Sequence, residues 1–371
     1  MRANELNSLI VILNYGSLIL LSFITLFNPL KVNRKANYWF GAFLFLWSTF
    51  WLDEILSYTG IYNVTQHYKG LVYIIQFFTP VVFYASILLY TNPNFKFHAA
   101  DLKYLILPAF YFIIIILQQS ADEESQKLFR LVSLGLILVQ VILYTTLAYL
   151  KIRKHQKKIM SFASNTNDID LSWLKYIILS IFLLSIVITL YNVFFNSLTL
   201  GAFINLFLLI IILIVSYNSV KQKEIFPLDE NQRKEIIQIN EEEQSGELRR
   251  KVVPDSELET LKLKLNELMK LQKPYLDSEL NLIKLSELAN MKPHQLSYVI
   301  NTGYNENFFG LINSYRVEKA KELLVKAEMN KLSMLGIAFE SGFNSKTSFN
   351  TTFRKITGQT PSDFKRRSSD L

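Results

Sequence analysis

Lys346, Thr347, Asn350, Thr351 and Arg354 recur at a spacing that places all five on one face of a helix. Two are cations and three carry hydroxyl or amide groups, with no carboxylate among them. Lys346, Thr347, Asn350 and Thr351 are of the types that read base edges, and Arg354 of the type that holds phosphate. The chemistry such a face supports is recognition of a duplex rather than bond cleavage.

The stretch 331–361, KLSMLGIAFESGFNSKTSFNTTFRKITGQTP, supplies the elements that would hold this face. Leu332, Leu335, Ile337, Ala338 and Phe339 form the apolar side of a short helix. Ser341 and Gly342 end it, and Gly342 can take the positive φ of a tight helix exit. Phe343 plugs the corner, and Asn344 and Ser345 suit the N-cap of a second helix. Phe349, Phe353 and Ile356 then recur as a buried stripe opposite the polar face. Gly358 stops the helix, and Thr360-Pro361 caps the next turn. Helix, glycine turn and helix with one polar, basic face is the helix-turn-helix layout.

Upstream, Lys284–Asn290 forms a short amphipathic helix with Ile283, Leu285, Leu288 and Ala289 inward. Met291-Lys292-Pro293 turns the chain, and Pro293 suits a first helical position. The following segment has Leu296, Val299 and Ile300 inward and leaves His294, Gln295, Ser297 and Tyr298 outside. Next, 307–326 buries Phe308, Leu311, Ile312, Tyr315, Ala320, Leu323 and Leu324. It leaves Asn313, Arg316, Glu318, Lys319 and Glu322 mostly wet. About twenty helical residues give a strut of roughly 30 Å. Successive major-groove faces lie about 34 Å apart, so such a strut can hold two recognition helices in adjacent grooves.

The stretch resembles the AraC/XylS family of transcription regulators. The resemblance is carried by Ile337-Ala338, Gly342-Phe343, Ser348-Phe349, Phe353-Arg354-Lys355 and Gly358-x-Thr360-Pro361. Leu285-x-x-Leu288-Ala289 resembles the family's first helix-turn-helix. Phe308, Leu311-Ile312-Asn313, Tyr315-Arg316-Val317, Ala320-Lys321 and Leu323-Leu324 resemble its linker helix. The resemblance covers about 258–367 and implies a DNA-binding regulator with two major-groove helices. It implies base reading at His294, Gln295, Ser297 and Tyr298 in the first unit and at Lys346, Thr347, Asn350 and Thr351 in the second. Tyr298 and Thr351 stand where many relatives carry a long basic side chain. Arg354, Lys355, Lys365 and Arg366, with Ser314 and Arg367, suit phosphate better than bases.

The chain has 371 residues, enough for at least two domains. Half are hydrophobic and only 19% charged, too apolar for an ordinary soluble regulator. Seven apolar runs explain this, near 7–27, 37–57, 70–90, 103–119, 128–150, 174–194 and 198–217. Most have about the twenty residues that a bilayer-spanning helix needs. No cleavable signal peptide is read before the first. Pro80 and Pro108 fall inside runs and are expected to kink them. Lysine and arginine concentrate in alternate loops: Lys31, Arg34 and Lys35; Lys96 and Lys103; Lys151, Arg153, Lys154, Lys157 and Lys158; then Lys221 and Lys223. By the positive-inside rule the N-terminus is outside and the C-terminus inside, where DNA is.

The expected fold is therefore all-α: a seven-helix transmembrane bundle over 1–220, a charged linker over 221–257 and a soluble helical domain over 258–371. That domain has helix-turn-helix units at about 284–302 and 331–357, joined by a linker helix over 307–327. The linker is rich in acid, including Glu241-Glu242-Glu243, with a helical piece expected at 233–243. Leu258, Leu261, Leu265 and Leu268 that follow fit either a short dimerising coil or a helix packed on its own domain core.

Asp53 and Glu54, near the outer end of the second run, are the candidate signal site, because ionisable groups at membrane depth are expensive. With no cysteine there is no disulfide, thiolate chemistry or zinc finger, and the four histidines are scattered, so neither metal nor cofactor is expected. The net charge of +8 lies largely in loops beside the apolar runs and is not by itself a nucleic-acid signal. The expected partners are double-stranded DNA, the lipid bilayer, an unidentified small-molecule or membrane signal, and a second copy in a homodimer. The expected setting is the inner membrane, multi-pass, with the DNA-binding domain cytoplasmic. The rival reading is a membrane transporter or membrane enzyme with an accessory DNA-binding domain. It lacks HExxH, GxSxG, a P-loop or a cysteine or histidine cluster. In a third reading the spans only anchor.

Overall fold

The computed structural model describes residues 3–58, 66–194, 198–225, 254–325 and 332–369, nearly all of them helical. Residues 226–253 of the charged linker, including its expected helical piece, lie outside the described residues. So do the last residues of the linker helix at 326–327 and the first of the second helix-turn-helix at 331. The chain divides into two compact units, one of residues 1–154 and 171–225, the other of 155–170 and 226–371.

The first unit runs α1 (Ala3–Phe27), α2 (Arg34–Ser48), a 3-10 turn (Thr49–Trp51), α3 (Leu52–Tyr58), α4 (Gln66–Phe77) and α5 (Thr79–Thr91). A second 3-10 stretch (Ala99–Leu105) leads into α6 (Ile106–Gln119). Then follow α7 (Glu123–Ile159), α8 (Ser172–Phe194) and α9 (Leu198–Lys221). Among the described residues, five helical stretches are long and apolar enough to cross a membrane: 5–27, 72–91, 99–119, 123–159 and 201–221. The other two apolar runs are helical but fall short of that test. The second is split by the 3-10 turn into α2 and α3, and the sixth is a shorter apolar stretch over 172–187.

The packing suits a low-dielectric surrounding. Leu20, Phe23, Ile113, Leu131, Phe203 and Leu213 face outward. Polar groups meet one another across helices instead, as the lack of water in a bilayer requires. Asn14 Nδ2 donates to the carbonyl of Asn205 at 3.0 Å, and Asn205 Nδ2 donates to Asn7 Oδ1 at 3.0 Å. Trp51 Nε1 donates to Asn205 Oδ1 at 3.0 Å. The third run breaks at Phe78, just before Pro80, and Gln140 Nε2 on α7 donates to the carbonyl of Phe77 at 2.7 Å. A helix break thus keeps its backbone satisfied through a neighbouring helix. Ser22 Oγ donates to Gly41 O at 2.8 Å, and a Cβ on Gly41 would collide with Leu26 and Thr25, so α1 and α2 pack closely there.

The second unit contains α10 (Asp255–Leu271), a 3-10 turn (Pro274–Leu276), α11 (Leu282–Ala289), α12 (Pro293–Tyr298), a π-helical turn (Val299–Gly303), α13 (Phe308–Val325), α14 (Met334–Glu340), α15 (Lys346–Thr357) and α16 (Pro361–Ser369). Helix α10 buries Leu265, Leu268 and Met269 and packs on α11 and the π turn, so its leucine stripe joins the domain core. Asn266 Oδ1 accepts from Tyr304 Oη at 2.8 Å and from Tyr315 Oη at 3.1 Å, fixing α10 to α13. Val317, Ala320, Leu323 and Leu324 of α13 share one apolar cluster with Ile337, Ala338, Phe343, Phe349 and Phe353.

Some side chains depart from the sequence pattern. Leu288, Leu335, Phe339 and Ile356, expected inward, are exposed, because the small cores are already closed by their neighbours. Arg316 and Asn313, expected wet, are both 1% exposed. Arg316 is four residues from both Ile312 and Ala320 and so lies on the buried stripe itself. Its guanidinium is enclosed by backbone carbonyls. Nε donates to Tyr275 O at 2.8 Å and Nη2 to Asp277 O at 2.8 Å.

Candidate nucleic-acid interface

The second helix-turn-helix is built from local signals. Ser333 Oγ accepts from Gly336 N at 3.1 Å and starts α14. Gly342, at φ 86°, turns the chain toward α15. Ser345 Oγ accepts from Ser348 N at 3.2 Å and caps α15, so Ser345 rather than Asn344 is the N-cap. Gly358, at φ 78°, ends the helix in the left-handed region. Phe349 and Phe353 are fully buried, with ring centroids 5.6 Å apart.

That burial turns the opposite face out. Lys346, Thr347, Asn350, Thr351 and Arg354 are all exposed on α15, with Lys346 and Thr347 in its first turn. In a helix-turn-helix the N-terminal residues of the second helix meet base edges. Lys355 is exposed on the same helix, but on its C-terminal turn. Arg366 is exposed and its Nη2 donates to Asp363 Oδ1 at 3.0 Å, while Lys365 is half-buried. Arg367 Nη1 donates to Gln359 Oε1 at 3.1 Å. The Thr360 hydroxyl donates to Asp363 Oδ2 at 2.6 Å and holds that carboxyl below its ordinary range.

The first unit differs. Asn281 Oδ1 accepts from Lys284 N at 2.9 Å and caps α11. Asn290, at φ 50°, makes the turn that glycine makes in the second unit. His294 and Gln295 are half-buried on α12, and Gln295 Oε1 accepts from the backbone N–H of Lys292 at 3.1 Å. Ser297 and Tyr298 are 3% and 7% exposed, so the expectation that they stand outside does not hold. Helix α12 has six residues before the chain widens into the π turn. Leu296, Val299 and Ile300 are buried as expected, and burial extends around this short helix to Ser297 and Tyr298 as well. Ser314 Oγ, expected near phosphate, donates to Gly310 O at 3.0 Å.

Two residues matter to this unit in ways the sequence did not indicate. One is Arg316, expected wet but buried. The other is Ser164, in the connector between α7 and α8. Arg316 Nη1 donates to Ser164 O at 3.1 Å and Nη2 to Ser164 Oγ at 2.9 Å. Burial holds the Arg316 pKa down to about 10, which leaves the guanidinium charged at neutral pH. Among the described residues no group of histidine, aspartate and glutamate could hold a metal ion. Of the candidate signal site, Asp53 is half-buried, with one carboxylate oxygen lacking a hydrogen-bond partner among the described residues, and Glu54 is exposed.

Compared with known protein families, residues 285–367 match the model of a helix-turn-helix domain. No curated protein and no solved structure matches the chain. The match spans both helix-turn-helix units and the helix between them, and it agrees with the caps, turns and buried stripes described above. The C-terminal part of this chain, residues 285–367, is thus an AraC-type helix-turn-helix domain, and five helices among the described residues that are long and apolar enough to span a membrane precede it.

Proposed function

We propose that this chain is a membrane-embedded regulator of transcription that binds specific DNA sites and couples a membrane or extracytoplasmic signal to gene expression. The observation that carries the reading is the exposed face of α15, with Lys346, Thr347, Asn350, Thr351 and Arg354, in a chain that also has five long apolar helices. Lys346, Thr347, Asn350 and Thr351 would read bases, and Arg354, Lys355, Lys365 and Arg366 would hold phosphates. In the first unit His294 and Gln295 remain the better placed readers, since Ser297 and Tyr298 are buried.

The seven-span topology, N-terminus outside, belongs to the same reading. The helical character of the second and sixth apolar runs supports it. So does the grouping of residues 155–170, the last turn of α7 and the connector to α8, with the helix-turn-helix unit. A connector that shares a fold with the DNA-binding domain lies on its side of the membrane, and the lysines at 151–158 then fall on the cytoplasmic side. Asp53 and Glu54 are the proposed signal site, with the Asp53 oxygen that lacks a partner among the described residues as the group to take a ligand's donor.

The test is genome-wide crosslinking of the full-length protein to DNA beside the triple variant Lys346→Ala/Thr347→Ala/Thr351→Ala. Sharp peaks that vanish in the variant, with both proteins in the membrane fraction, are expected. Peaks that persist unchanged would overturn the assignment of α15 as the reader.

A further inference from the structure

The connector between α7 and α8 is built into the DNA-binding unit. Phe162, Ala163 and Ser164 are buried at 3%, 7% and 3% exposure. Ala163 pairs with Asn281 in an antiparallel bridge. Leu282 N–H donates to Phe162 O at 2.9 Å, and Ser164 Oγ donates to Leu280 O at 2.6 Å. Phe309 N–H, at the start of α13, donates to Met160 O at 2.9 Å. Asn313 Nδ2 donates to Ser164 O at 3.1 Å, beside the two bonds from Arg316. Further along, Asn167 Nδ2 donates to Ser345 Oγ at 3.2 Å.

These contacts fall on particular parts of the domain. Leu282 is the first residue of α11, the leading helix of the first helix-turn-helix, and Ser345 is the N-cap of α15. In helix-turn-helix docking the leading helix crosses the DNA backbone, and the second helix enters the groove by its N-terminal end. Backbone N–H groups at helix N-termini are also the usual donors to phosphate. The connector thus takes one donor at the N-terminus of α11 and lays a side chain against the cap of α15, immediately before Lys346 and Thr347.

We propose that the surface formed by Asn281, Leu282, Asn313, Arg316 and Ser345 is the docking site of the connector 160–167, and that the docked connector and duplex DNA compete for it. The occupant is this chain's own segment, specified by a backbone bridge, a buried serine and a buried arginine. The connector is covalently continuous with α7 and α8, so a movement of either helix reaches it directly. A membrane signal that withdraws the connector uncovers the N-terminal ends of α11 and α15 for phosphate and bases. This rests on the reading of α15 as a DNA reader.

The chain has no cysteine, so a single introduced pair reports on the contact without background. The experiment uses full-length protein in lipid nanodiscs carrying Asn167→Cys and Ser345→Cys, with Ser345→Cys alone as the control. The probe is a duplex selected by the unaltered full chain from a random-sequence library. Oxidation is expected to join the pair efficiently, and excess duplex added beforehand to suppress the joining. The oxidised protein is expected to bind the duplex at least ten-fold more weakly than the same protein after reduction. Independently, Asn167→Ala, which alters no residue of the helix-turn-helix units and removes only the connector's bond to Ser345, is expected to tighten binding several-fold. A pair that fails to join, or a joined protein that binds DNA as well as the reduced one, overturns the competition. Efficient joining in a chain that selects no duplex at all overturns instead the DNA reading beneath it.

Discussion

Arg316 and Tyr275 are joined by a 2.8 Å hydrogen bond from guanidinium Nε to backbone carbonyl, deep inside the DNA-binding unit. The bond ties α13 to the turn after α10. A second, from Nη2 to Asp277 O at 2.8 Å, holds the same turn two residues on. Arg316→Ala would leave both carbonyls without their donor in a region closed to water. The expected loss is about 3 kcal/mol of domain stability, since abandoned buried acceptors cost about 1–3 kcal/mol each. Arg316→Lys should recover only part, because an ammonium cannot present the planar fork that meets several acceptors at once. Amide hydrogen exchange over 275–282 and 341–353 checks this. Unchanged protection in Arg316→Ala would show that the arginine is a passenger.

Gly342 makes the companion contact. At φ 86° its Cα faces the same turn, and a Cβ there would run into Tyr275 O and Leu276 Cα. Gly358, at φ 78°, has nothing near its missing Cβ. Both positions disfavour alanine through backbone strain of about 1 kcal/mol. Only Gly342→Ala adds a collision with backbone that cannot swing aside, so its total is expected near 3 kcal/mol. Denaturant midpoints of the two variants, compared with the unaltered chain, measure the difference. Equal losses would mean that the two glycines serve only their φ angles.

The second helix-turn-helix was legible in the sequence because its determinants are local. Ser345, Phe349, Phe353 and Gly358 sit within fourteen residues and obey one helical period. The first helix-turn-helix was less so: residues 296–300 are all buried, so Ser297 and Tyr298 are covered along with the apolar Leu296, Val299 and Ile300, and a single helical period cannot show that a short helix is covered on more than one side. Arg316 could have been found: an arginine in step with Ile312 and Ala320 on a buried stripe needs an acceptor set of its own. Its acceptors could not, since Ser164 lies 152 positions away and is tied to it by folding, not by pattern. The apolar runs announced helices across the first unit. Whether a run breaks, as the second does at Thr49–Trp51, depends on neighbours that the run does not reveal.

Acid should loosen the first helix-turn-helix through Asp277. Partial burial pushes that carboxyl up, but the Glu279 amide at 2.9 Å and the Lys284 ammonium at 3.1 Å outweigh it, and the net shift is downward from 3.8. The unfolded chain therefore binds this proton more readily than the folded one. The stability it contributes is complete above the unfolded value and is lost as pH falls below 3.8 through the folded value. Asp277→Asn is expected to flatten that part of the acid limb, leaving stability near neutrality slightly reduced. Unfolding midpoints measured in steps from pH 5 to about pH 2 test it; an identical acid limb in the variant would place the loss elsewhere.

Ser345 lets fold and recognition be separated. Its hydroxyl caps α15 through Ser348 N, and it stands one residue before the proposed base readers. Ser345→Ala removes the cap and should cost about 1 kcal/mol. Ser345→Asp keeps an acceptor at the cap and adds a negative charge where the helix dipole favours one, so stability should hold or rise. On DNA the same charge would face phosphate, and affinity should fall about ten-fold at low salt, with a smaller penalty as salt screens the repulsion. The two substitutions therefore rank oppositely in stability and in salt sensitivity of binding. If Ser345→Asp bound DNA as tightly as the unaltered chain at low salt, the N-terminal end of α15 would not be the end that meets the duplex.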